Sequence, residues 1–82
     1  MEYKEILINN INKIHTTELG HLRIFKATNL KENEDILWIK ECIYDNNSLI
    51  NKRGKNYYVI NNNYEIYINS YNYSVITVKK LK

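Results

Sequence analysis

The chain has 82 residues, a mass of 9.9 kDa and a hydrophobic fraction of 44%, enough for one small domain and too little for two. Charged residues make up 26% but leave a net charge of only +3, which excludes wholesale disorder. The absence of Pro, with two Gly and one Cys, excludes a collagen-like chain, a loop-rich scaffold and an internal disulfide framework.

A small unstapled chain must bury nearly all its Ile, Leu, Val and aromatic residues, so their spacing is the main signal. In the first segment Tyr3, Leu7, Ile11 and Ile14 fall at helical spacing, with Ile6 beside them. His15-Thr16-Thr17 breaks that pattern, and both Thr residues are good N-caps for a second helix from about Glu18 to Ala27. That helix is expected to bury Leu19, Leu22 and Phe25, with Asn29 closing it. Asn33 is expected to cap a third helix, with Glu34 and Asp35 in the first turn, where the macrodipole favours acids. Ile36, Ile39 and Ile43 form its apolar stripe, flanked by Cys42 and by Trp38, which is expected to pack between this helix and a sheet.

From Ser48 the period changes to two. Four strands rich in Ile, Val, Tyr and Thr are predicted at roughly 48–52, 55–60, 64–69 and 73–79. The short connections at Arg53-Gly54, Asn61-Asn62-Asn63 and Ser70-Tyr71-Asn72 suit tight hairpins. The fold class is therefore α+β: three N-terminal helices, to about residue 45, packed on one face of a four-stranded antiparallel meander over about 48–80. A two-residue loop at the Asn run pairs Val59 with Ile66 and Tyr57 with Ile68, and a three-residue loop at Ser70-Tyr71-Asn72 pairs Ile66 with Ile76. Tyr57, Val59, Ile66, Ile68, Ile76 and Val78 then face inward. Tyr58, Ile60, Tyr67, Asn69, Tyr73, Val75 and Thr77 face outward.

Asn, Ile, Lys and Tyr supply more than half the chain, as A/T-rich coding would, so their counts alone carry no functional argument. The pI near 9.0 permits a polyanionic partner without demanding one. Glu2-Tyr3-Lys4-Glu5 lacks the apolar core of a secretory signal, and no apolar run approaches the ~20 residues needed to span a bilayer. One unpaired Cys fits a reducing cytoplasm. There is no Gly-rich phosphate loop, and Cys42, His15 and His21 lack zinc-site spacing, so neither a cofactor nor a metal is expected. Cys42, beside the stripe of a helix, reads as a core residue.

The basic and aromatic run Lys52-Arg53-Gly54-Lys55-Asn56-Tyr57-Tyr58 sets three cations around a turn, then aromatics on a strand. Cations neutralise phosphates and Tyr faces stack on unpaired bases, although a solvated hairpin tip has the same composition. His15, at a helix end, is a candidate general base or acid, or simply a cap. Arg23 suits a phosphate contact or an ion pair with Glu18, itself a helix-start acid. Asn69 and Thr77 add polar groups on the last two strands, and the outward Tyr58, Tyr67 and Tyr73 suit RNA or a protein partner.

His15-Thr16-Thr17-Glu18-Leu19-Gly20, Arg23-Ile24, Arg53-Gly54-Lys55-Asn56-Tyr57-Tyr58-Val59 and Ile68-Asn69-Ser70-Tyr71-Asn72-Tyr73-Ser74-Val75-Ile76-Thr77 resemble a small bacterial family of unknown function. Tyr57 stands where Trp is commoner in that family, and Lys79 where His is expected. More distantly, helices followed by an antiparallel meander with a Thr-bearing last strand are similar to the barnase, colicin D and ribosome-dependent toxin ribonucleases. Those enzymes use no metal: a base takes the ribose 2′-OH proton, the oxygen attacks phosphorus and cations stabilise the developing charge. That likeness implies His15 as base or acid, Arg53 and Lys55 on the phosphate with Arg23 assisting, and Thr77 or Ser74 as a hydrogen-bond donor. Three classes compete: an RNA-binding or RNA-cleaving domain, a non-catalytic protein-binding inhibitor encoded by a phage or mobile element, such as an anti-defence protein, and a small-molecule binder. Convergence of His15, Arg23, Arg53 and Lys55 in one cleft favours an enzyme; a flat Tyr-rich face with those four scattered favours the protein-binding module.

Overall fold

Thr17 and Asn29 bracket the best-defined helix. In the computed structural model, which describes residues 2–81, the Thr17 side chain accepts from the Gly20 N–H at 3.1 Å, and Asn29 ends the helix in the left-handed region at φ 65°. This is α2, Glu18–Thr28. It follows α1, Tyr3–Asn9, and a 3₁₀ turn, Ile11–Lys13, so the apolar spacing that ran on to Ile14 is divided between two elements. The third helix, α3, spans Glu32–Tyr44. Its N-cap is Lys31, two residues before the expected Asn33, because the Glu34 carboxylate reaches back to accept from the Lys31 N–H at 3.1 Å.

The sheet comprises β1 Leu49–Arg53, β2 Asn56–Asn61, β3 Tyr64–Asn69 and β4 Val75–Lys80, in the order β1-β2-β3-β4 with every pair antiparallel. The molecule is thus three helices followed by a four-stranded antiparallel sheet, an α+β fold. Gly54 (φ 60°) and Asn62 (φ 54°) supply the positive φ that the two-residue turns Gly54-Lys55 and Asn62-Asn63 need. Val59 pairs with Ile66 and Tyr57 with Ile68, as the Asn-run turn requires.

The last hairpin differs from expectation. Ile66 faces Val78, not Ile76, and the register shifts between Tyr67 and Ile68, which face Thr77 and Val75. Ile76 is the extra residue of a bulge. The bulge resets the alternation, so Val75 and Val78 are both buried while Thr77 still turns out. The connecting loop is correspondingly longer. Tyr73 lies in it at φ 60° and packs against the core, so it is neither on a strand nor outward.

One core joins Leu7, Ile14, Ile24, Ile39, Cys42, Ile43, Tyr57, Val59, Ile66, Ile68, Val75 and Val78. Trp38 is half-buried at its margin, edge-on to Tyr64 at 5.3 Å between centroids. The largest departure concerns α2: it buries Gly20 and Ile24, and the expected core residues Leu19, Leu22 and Phe25 are exposed. A polar tie anchors the end of α3 to β2. Buried Asn61 donates to the Asp45 carboxylate and to Ser48 Oγ, both at 3.1 Å. Among the described residues no helix is long and apolar enough to cross a membrane.

A candidate binding face on the open side of the sheet

Strand alternation divides the basic run between two faces. Lys52 pairs with the buried Tyr57 and so stands on the helix-covered side, exposed at the sheet edge. Arg53 takes the opposite, open side, and Lys55 sits in the turn. The three cations therefore do not form one cluster.

Asn51, Tyr58, Tyr67 and Thr77 form a row across the open face. The Tyr58 and Tyr67 rings meet edge to face at 4.7 Å, the arrangement favoured by the ring quadrupoles. The Arg53 guanidinium lies 4.3 Å from the Tyr58 ring centroid, and its Nη2 is 3.7 Å from Glu65 Oε2. The Tyr67 hydroxyl donates to the other Glu65 oxygen at 3.2 Å. Glu65 faces Lys79 on β4. The Arg53 side chain remains 70% exposed, so the guanidinium lies over the Tyr58 ring and still meets solvent.

Asn69 belongs to the loop more than to this face. Its Oδ1 accepts from the N–H groups of Tyr71 (2.8 Å) and Asn72 (3.1 Å), fixing the turn into β4. Tyr73 lies on the other side, with the Lys13 ammonium 5.8 Å from its ring centroid.

His15 sits beyond the β4 edge. It bridges Ser74 in parallel, its N–H donating to the Tyr73 carbonyl and its carbonyl accepting from Val75. Ser74 bonds Asn69, which pairs with Asn56, which pairs with Arg53, so His15 and Arg53 occupy opposite ends of one row. Four strand spacings separate their backbones, about 19 Å, and three separate His15 from Asn56 beside Lys55, about 14 Å. The imidazole folds back and its Nδ1–H donates to the Lys13 carbonyl at 2.8 Å. Arg23 lies on α2, its Nη1 3.5 Å from the Ile76 carbonyl. His15, Arg23, Arg53 and Lys55 are thus spread over the molecule, with His15 and Arg53 at opposite ends of one row and Arg23 on α2.

The His15–Gly20 block has another role. The Thr16 hydroxyl donates to the Val75 carbonyl at 2.7 Å, and Thr17 caps α2. A Cβ on Gly20 would fall 1.9 Å from Thr16 Oγ1 and 3.2 Å from the Val75 oxygen. Only Gly lets α2 approach β4 this closely. The block is a clip that docks the start of α2 on the start of β4.

One ionisable pair was not foreseen. The His21 Nδ1–H donates to Oδ2 of the fully buried Asp35, joining α2 to α3. The two residues are fourteen apart on different helices, so no local pattern links them. Burial, with Asp45 and Glu41 nearby, pushes the Cys42 thiol up to about 12, as befits a core residue. The Asn47 N–H and the Asn61 amide, with Lys4 assisting, hold the Asp45 carboxyl below the usual carboxylate range. Among the described residues no group of three or more His, Cys, Asp or Glu converges.

The model of a family described as "Protein of unknown function (DUF3781)" matches residues 8–79. The chain belongs to DUF3781. The match takes in α2, α3, the clip and nearly all of the sheet. No curated protein and no solved structure matches, and the more distant ribonuclease likeness gains no support.

Proposed function

We propose that this DUF3781 domain is a non-catalytic binding module that takes single-stranded RNA on the open face of its sheet. The observation that carries the reading is the Arg53 guanidinium over Tyr58, itself packed on Tyr67, on the face that the helices leave uncovered. A base can stack on the exposed guanidinium or on the tyrosine pair, while Lys55 and Lys79 attract the backbone. Cleavage is left out of the proposal because His15 and the hairpin cations lie about three to four strand spacings apart. The cytoplasmic setting suggested by the single buried thiol is compatible with such a ligand.

A second reading, a protein-binding inhibitor, draws on the scatter of His15, Arg23, Arg53 and Lys55 and on the apolar residues Leu49 and Ile60 beside the tyrosines. Titrating labelled oligouridylate by fluorescence anisotropy separates the two. The RNA reading expects affinity to fall with salt, and Arg53→Ala to reduce the slope of log K against log[salt] by about 0.7. Tyr58→Ala and Tyr67→Ala should each weaken binding by ~1–3 kcal/mol, and Lys52→Ala, on the covered side, should change little. An absence of binding at low salt rejects the RNA reading and leaves the protein partner.

A further inference from the structure

The outward face of α2 reads the same in both directions. With 100° between successive residues, Gly20 and Ile24 point into the domain and Leu22 points directly away. Leu19, Leu22 and Phe25 are 55%, 59% and 46% exposed. Glu18 and Lys26, both exposed, lie on the same arc. About Leu22 the pattern is symmetric in apolar character and antisymmetric in charge: Leu19 and Phe25 stand three residues to either side, Glu18 and Lys26 four.

We infer that the protein self-associates through α2 as an antiparallel two-fold dimer. Across an axis at Leu22, each Leu22 meets its copy, and with the helices crossed so that their Glu18-Leu22-Lys26 rows align, Glu18 meets Lys26 of the second copy, twice over, while Leu19 and Phe25 flank the crossing. Such an isologous contact closes without leaving a free patch. A parallel pairing would set Glu18 against Glu18 and Lys26 against Lys26, so the charges select the antiparallel one. The three apolar side chains expose on the order of 300 Å². A standard interface covers about 800 Å² per partner, so this stripe is the centre of a small, weak interface completed by polar groups. The helices lie on the covered side of the sheet, so the dimer leaves the open face free, and the inference is independent of the RNA reading.

Sedimentation equilibrium of the full chain from about 1 to 500 µM should give a monomer–dimer equilibrium with Kd on the order of 10–100 µM. Leu22→Glu should weaken it at least ~10-fold with circular dichroism unchanged, since Leu22 makes no core contact. Glu18→Lys and Lys26→Glu should each weaken association, and the double variant should restore it, because swapping both charges rebuilds both antiparallel pairs. A chain that stays monomeric throughout, or a dimer that survives Leu22→Glu, overturns the proposal; the first outcome leaves the stripe to a different protein. A dimer lost in Leu22→Glu but indifferent to the charge swaps overturns the antiparallel arrangement.

Discussion

The helices α2 and α3 lie on the same side of one sheet yet are oriented by different forces. In α3 the apolar stripe goes inward: Ile39, Cys42 and Ile43 are buried, and Ile36 packs against them. In α2 the apolar stripe goes outward and Gly20 and Ile24 are buried instead. The outward roll forgoes about 1 kcal/mol for each half-exposed Leu or Phe. Against that stand the Thr16 hydroxyl bond, the Thr17 cap, the His15 bridge and the His21–Asp35 contact, worth roughly 0.5–1.5 kcal/mol for each neutral bond and more for the charged one. The polar contacts at least match the apolar loss. The roll of a short helix docked closely at one end can therefore be set by polar contacts, and its apolar stripe becomes a surface.

Three substitutions can break or sharpen this contrast. His21→Ala leaves Asp35 buried without its partner and should cost about 3 kcal/mol in urea unfolding, with partial recovery in His21→Asn, which keeps a donor. A loss below about 1 kcal/mol would mean that the pair does not hold α2 against α3. Gly20→Ala should cost ~1–3 kcal/mol although Ala is the better helix former, because Thr16 must give up its bond to Val75 or α2 must lift. A stabilised Gly20→Ala chain would show that the clip does not govern the roll. The smallest effect concerns the polar tie at the end of α3. Asp45 has a depressed folded value, so its contribution is complete above the unfolded value of about 3.9 and disappears as pH falls through the lower folded one. Asp45→Asn should flatten that acid limb of stability against pH, and an unchanged limb would assign it to other carboxylates.

What was legible in the chain is what depends on near neighbours. The switch from helical to alternating spacing at Ser48 marks the sheet, and the Asn-run turn sets the Val59–Ile66 and Tyr57–Ile68 pairs. The bulge at Ile76 was not legible, because parity arguments assume unbroken alternation, and one extra residue lets Val75 and Val78 both face inward. The roll of α2 was not legible either, since it depends on contacts across the chain to Val75 and Asp35. At the candidate face, Arg53 and Tyr58 could be read from one basic-aromatic run, and Tyr67 and Thr77 from alternation. The carboxylate of Glu65 beneath Arg53, and the diversion of Asn69 into its own loop, appear only when the strands are set side by side.

The most direct test of the account is a paired unfolding measurement at a concentration dilute enough to keep the chain monomeric. Ile24→Ala should lose about 2–5 kcal/mol, because it opens a cavity in the core, whereas Leu22→Ala should stay within about 0.5 kcal/mol of the parent. The reverse order, with Leu22→Ala the more costly, would mean that α2 buries its leucine stripe after all, and both the clip and the dimer surface would fall with it.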